Sequence, residues 1–225
     1  MLHEIIQVRA GLAAAVIMLS FEPLVDKKPV KFLLIILLAT LIHYSALIFL
    51  PFYFLNTKKI NPIIYIAIIL IPFLLTTFKF DPISLILKYD FGVYTEKISI
   101  YIKDQLREQH HINKFNLTIL FQLLLSGFLL FYRTDIIEKN KYSILFLKID
   151  IISIGIFYLF YSLPVFAFRL WEMLSIVQIF LIPTLIYYIK PRWIPELIIV
   201  LVGLALYYNL VLQGYIKPYS LIFFQ

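Results

Sequence analysis

The sequence predicts an all-α, polytopic helical membrane protein, and three observations carry that expectation. Hydrophobic residues make up 62% of the 225 residues and charged residues only 15%, against roughly 45–50% and about 25% in soluble domains. Mean hydropathy is +0.93. The apolar runs are continuous and approach the ~20 residues that a transmembrane helix needs. They lack the alternation of a barrel strand, so helices are how the backbone would pair in lipid. Folded in water, such a chain would expose an apolar surface that no soluble monomer tolerates. Composition therefore excludes a soluble enzyme, a disordered chain and, without cysteine, a disulfide scaffold. The net charge of +7 fits lysines and arginines flanking spans better than a nucleic-acid partner.

Each element follows in order. Ala10 to about Val25 is the first span. Glu4 interrupts the basic region that a signal peptide would need, and no small-residue cleavage site precedes Glu22 and Pro23, so the span reads as retained. Ile60–Phe78, Phe115–Tyr132, Ile144–Leu163, Leu170–Ile189 and Ile194–Leu212 are further spans, and one membrane domain covers 1–225. Eleven prolines against six glycines suggest kinks. Lys31–Leu55 is awkward: its 25 residues are long for one span and far short of the ~40 that two require. One reading is a single tilted span. The other is a re-entrant pair, with Lys31–Leu41 dipping in, a turn near His43, and Tyr44–Leu55 returning. The pair would place every basic cluster on the cytoplasmic side: Lys27, Lys28 and Lys31; Lys58 and Lys59; Arg133, Lys139, Lys141 and Lys148; Lys190 and Arg192. Arg9, Arg169, Lys217 and the polar stretch 79–114 would then lie outside. In that stretch Tyr94, Ile98, Tyr101 and Ile102 share a helical face against Glu96, Lys97, Lys103 and Asp104, which predicts an amphipathic helix on the outer surface. The expectation is about six full spans, with the pair and this helix added.

Ionisable groups at depth are costly and need an explanation. His43 lies mid-run; it reads either as a general base, since imidazole titrates near neutrality, or as a structural histidine bonded to a carbonyl. Arg169, in Phe166-Ala-Phe-Arg-Leu-Trp-Glu172, could fork onto phosphate oxygens or pair with Glu172 one turn on. Arg9 reads as an interfacial anchor or a second anion contact. Trp171 and Trp193 read as interfacial belt residues. His110 and His111 are adjacent, which is not the spacing of a metal pair on one helix face. No metal or cofactor motif is found. Two outer arginines and one histidine at depth suit a lipid-linked pyrophosphate substrate handled without metal.

The order Arg9-Ala-Gly-Leu-Ala-Ala-Ala, Lys31-Phe-Leu-Leu-Ile-Ile-Leu-Leu-Ala39, His43-Tyr-Ser-Ala-Leu47, Arg169 in an aromatic stretch, and Lys217-Pro-Tyr219 resembles the EpsG family across essentially the whole chain. These are Wzy-like polymerases of bacterial exopolysaccharide, capsule and O-antigen. The resemblance implies a multi-pass enzyme of the inner (plasma) membrane that joins oligosaccharide repeat units carried on undecaprenyl pyrophosphate. It would be a metal-independent glycosyltransferase transferring the growing glycan to the next unit at the outer face. Its partners would be the undecaprenyl-pyrophosphate-linked oligosaccharide, membrane lipid, a flippase and a chain-length regulator, and no nucleic acid. Carried over by position, His43 and Arg169 are the catalytic candidates; Arg9, Ser45, Glu172 and Tyr219 are the substrate contacts. In the family the arginine opening follows several spans and continues with Gln, where Ala10 stands here. The expectation is a chain lacking the usual N-terminal spans. The alternatives are a non-enzymatic transporter or flippase-like component for lipid-linked sugars, and an inactive polymerase remnant.

Overall fold

The computed structural model describes residues 2–78, 80, 113–135 and 140–212. The amphipathic helix expected within 79–114 falls, apart from the ends of that stretch, outside them, as does Tyr219. The described residues are helical or loop, without strands. They belong to two compact units, Met1–Gln178 and Ile179–Gln225.

In the first unit, α1 (Leu2–Met18) is followed by a short α2 (Phe21–Val25) and by α3 (Pro29–Ile42). The single first span expected over Ala10–Val25 is therefore broken at Leu19-Ser20, where the Ser20 hydroxyl donates to the Ile17 carbonyl at 2.6 Å. The small side chains Ala13 and Ala14 are buried, where α1 packs on α3. Pro29 opens α3 at a position where a missing N–H costs nothing.

At His43 the backbone becomes extended (φ −150°, ψ 118°), and a 3-10 arm runs over Tyr44–Phe54. Pro51 lies inside the arm and lacks the N–H that an α-helix would need there. The chain doubles back. Phe32, near the start of α3, meets Tyr53, near the end of the arm, with ring centroids 5.3 Å apart. Lys27 Nζ donates to the carbonyls of Tyr53 and Leu55 at 2.7 and 2.9 Å. Tyr53 Oη donates back to the Lys27 carbonyl at 3.1 Å. Lys31–Leu55 is thus a hairpin with its tip at His43, not one rod. Lys148 fastens the base from another helix, donating to the Asn56 carbonyl.

The rest of this unit is built around α6 (Ser143–Leu159), which packs against α4 (Pro62–Thr77), α5 (Leu117–Phe131) and α7 (Pro164–Ser175). Asn61 and Asn116 cap α4 and α5 through their side chains. Ile119, Ile154, Phe157, Tyr158, Ala167 and Trp171 form the core where α5, α6 and α7 meet. At Gly155 the α4 backbone comes so close that a Cβ would lie 2.6 Å from the Ile68 carbonyl oxygen. The second unit holds most of α8 (Gln178–Leu181), a 3-10 turn (Ile182–Thr184), α9 (Leu185–Tyr188) and α10 (Trp193–Leu212). The stretch expected as one span over Leu170–Ile189 begins earlier, at Pro164, and is interrupted after Ser175 and again at the 3-10 turn, which contains Pro183.

Among the described residues no single helix is long and apolar enough to cross a membrane; one interrupted pair, Pro164–Ser175 with Gln178–Tyr188, meets the length and composition required. The apolar helices α3, α4 and α5 have 14, 16 and 15 residues, about 21–24 Å of helix against a ~30 Å hydrocarbon core. Leu34, Leu41, Ile63, Ile71, Leu124 and Phe131 on these three helices point outward and are exposed.

Candidate functional site

The hairpin tip gathers three of the expected residues from three elements. α3 ends at Ile42, leaving its carbonyl without a helical partner, and Arg9 Nε of α1 donates to it at 3.2 Å. A cation at a helix C-terminus is favoured by the orphan carbonyls there. The next residue, His43, closes one element and opens another. Its N–H donates to the Ala39 carbonyl at 2.9 Å and its carbonyl accepts from the Ala46 N–H at 3.0 Å. Its ring Nδ1 accepts from the Ser45 N–H at 3.3 Å. His43 is 8% exposed, and its ring stacks on Tyr44, with centroids 5.1 Å apart.

α7 brings the third residue. It packs against both the 3-10 arm and α1, and the charges of Arg169 and Arg9 both bear on the His43 ring. Arg169 is half-buried and has no hydrogen-bond or ion-pair partner among the described residues. The tip therefore concentrates two guanidinia and an imidazole.

The ring's hydrogen bond limits its chemistry. With Nδ1 accepting from the Ser45 backbone, the neutral imidazole carries its proton on Nε2. The atom left for a ligand is then a donor, not a lone pair. Ser45 contributes its backbone N–H to this arrangement, and its side chain is buried. Glu172 lies one turn beyond Arg169 and is exposed.

Sequence reasoning passed over a second polar cluster. Gln122 of α5 donates from Nε2 to Asp150 Oδ1 at 2.7 Å, to the Asp150 carbonyl at 3.1 Å and to Ser153 Oγ at 2.7 Å. Ser126 Oγ donates to Asp150 Oδ2 at 2.6 Å. Trp171 Nε1 of α7 donates to Gln122 Oε1 at 2.6 Å. Trp171 is consequently a buried anchor and not the interfacial belt residue expected from sequence, whereas Trp193 is exposed. The signal was present as a carboxylate inside an apolar run, Lys148-Ile-Asp150.

Neither a curated protein nor a solved structure matches the chain in comparison. The EpsG family model, in contrast, matches residues 1–221, in agreement with the motifs at Arg9, His43 and Arg169, and the chain belongs to the EpsG family.

Proposed function

We propose that this chain polymerises lipid-linked oligosaccharide repeat units in bacterial surface-polysaccharide biosynthesis. Family membership supports a polysaccharide-polymerase-like role in general. The finer reading rests on one observation: Arg9, His43 and Arg169 converge at the hairpin tip. In this reading the growing glycan leaves undecaprenyl pyrophosphate for a hydroxyl of the next unit. The anomeric C–O bond to phosphate breaks, a C–O bond to the acceptor oxygen forms, and the acceptor hydroxyl gives its proton to solvent water. The pyrophosphate departs as an anion, and the two arginines stabilise the charge it gains. His43 donates from Nε2 to a phosphate oxygen; its bonded Nδ1 argues against a role as general base.

The multi-pass membrane location belongs to the same proposal. The outward apolar faces of α3, α4 and α5 suit lipid. Lys27 and Lys148 sit at the hairpin base, and Lys141 joins them through Asp26 at 3.3 Å. Lys58 and Lys59 donate their backbone N–H groups to Asn56 Oδ1 at the same base, so three of the four basic clusters share one end, which the charge rule makes cytoplasmic. The His43 tip lies one length of α3, about 20 Å, away from it, toward the outer leaflet. A flippase and a chain-length regulator are the partners this reading expects.

The test is polysaccharide ladder formation in a deletion strain complemented with the chain and its variants at equal membrane abundance. Arg169→Ala is expected to cut polymerisation by about a hundredfold, as for loss of one donor to a developing anion. His43→Gln, which keeps a terminal N–H donor, is expected to outperform His43→Ala. Equal loss in the two histidine variants would return His43 to the general-base reading. An undiminished ladder in Arg169→Ala would remove the polymerase proposal.

A further inference from the structure

We propose that Asp150 is a positioning residue that aims Arg169 at the hairpin tip; the inference rests on the polymerase reading for its consequence and on geometry alone for its mechanism. Asp150 is fully buried, and no cation pairs with it among the described residues. An unpaired carboxylate in an apolar bundle is costly. Its neighbours Ile149 and Ile151 are buried apolar residues, so packing alone does not call for an acid there.

What the carboxylate supplies is direction. A glutamine amide can be turned end for end, and only its surroundings decide which end is the donor. Asp150 Oδ1 and the Asp150 carbonyl are both acceptors facing Gln122, so the amide nitrogen must point to α6. The amide oxygen is then left facing α7, where it accepts from Trp171 Nε1. Ser126 Oγ donates to the second carboxylate oxygen, Oδ2. Trp171 is thereby held on the α5–α6 side of α7. Arg169 lies two residues earlier, about 200° around the helix. Anchoring Trp171 inward turns Arg169 the other way, toward the arm and α1, with which α7 also packs.

The test uses the full chain in membranes, and its lack of native cysteine allows clean cross-linking. Cysteines placed at His43 and Arg169 are joined by a short bismaleimide, while ladder formation is followed separately in chains that keep both residues. Asp150→Ala and Trp171→Phe are each expected to slow cross-linking and polymerisation about tenfold, the scale of one lost buried hydrogen bond. Asp150→Asn restores both, because its oxygen still accepts from Gln122 and its nitrogen can donate to Ser126 Oγ. If Asp150→Asn is as impaired as Asp150→Ala, the charge itself matters and the positioning role is overturned. Unchanged cross-linking in folded Asp150→Ala overturns it as well. Should Asp150→Ala fail to accumulate, Trp171→Phe decides the matter, since it deletes one donor and keeps a ring. A cross-linking change of the expected kind without any ladder from the unmodified chain would leave positioning standing and defeat the polymerase reading.

Discussion

Lys27 has a positive φ of 55°, the left-handed region where an L side chain other than glycine costs about 1.5 kcal/mol. It follows the end of α2, the place where glycine commonly ends helices. A lysine persists there because of what its side chain reaches: two carbonyls at the hairpin base, at 2.7 and 2.9 Å, and the face of Tyr53, 5.1 Å from the ring centroid. Lys27 is exposed, so solvent screening brings each bond to about 1 kcal/mol, below the range for a buried charged donor. Lys27→Met keeps the backbone strain and loses both bonds, and is expected to cost about 2 kcal/mol. Lys27→Gly loses the same bonds but relieves the strain, less the extra freedom of glycine in the unfolded chain, and is expected to cost about 1–1.5 kcal/mol. For a chain of this size the gap is about 2 °C in melting temperature, measured by thermal unfolding of the purified protein in one detergent. The order unmodified, then glycine, then methionine is the signature. A glycine variant at or below the methionine variant would refute the strain account; two silent variants would refute the clasp.

Further outcomes are equally direct. Gly155→Ala puts a Cβ 2.6 Å from a backbone oxygen, about 0.8 Å inside ordinary contact at 3.4 Å, whereas Gly127→Ala meets nothing within 4 Å. Both gain the same helix propensity, so the difference between them isolates the clash, about 1–3 kcal/mol by thermal unfolding. Equal stabilities would mean that α4 and α6 are not held at this separation. The Asp26 carboxyl is held below its ordinary range chiefly by hydrogen bonds from Lys28 and Lys141. A lowered acid contributes stability above its unfolded pKa and loses it as pH falls through the folded one. Asp26→Asn should therefore be the less stable protein at neutral pH and converge with the unmodified chain in strong acid, and parallel melting curves from pH 7 to 2 would contradict this.

The reversal at His43 is legible in the sequence because two independent constraints meet there. Lys31–Leu55 has the wrong length for one or two spans, and a single crossing would separate Lys27 from Lys58. Of the two readings those constraints left, the geometry is that of the doubled-back pair. The approach of Arg9 and Arg169 to the same point is legible only through motif order. Spacing cannot show that α1 and α7, so far apart in sequence, pack together. The break after Met18 and the early start of the Leu170–Ile189 stretch were hidden by uniform hydropathy, which marks apolar residues without marking where the backbone bends. The Asp150 cluster was missed for a different reason. A lone acid among isoleucines reveals its cost, but its partners Gln122 and Trp171 come from other helices, and only the folded chain brings them together.

A hairpin that returns to its own base is an even element: it adds apolar length to the first unit and brings the chain back to the end it left. α4 therefore starts from the same end of the first unit as it would if the hairpin were deleted. The tip can gain or lose residues without moving the start of α4, provided that Lys27 and Lys148 still hold the two ends together. The residues of the tip and the packing of α4 to α7 are thereby separable: the one can be reshaped while the other is left as it was.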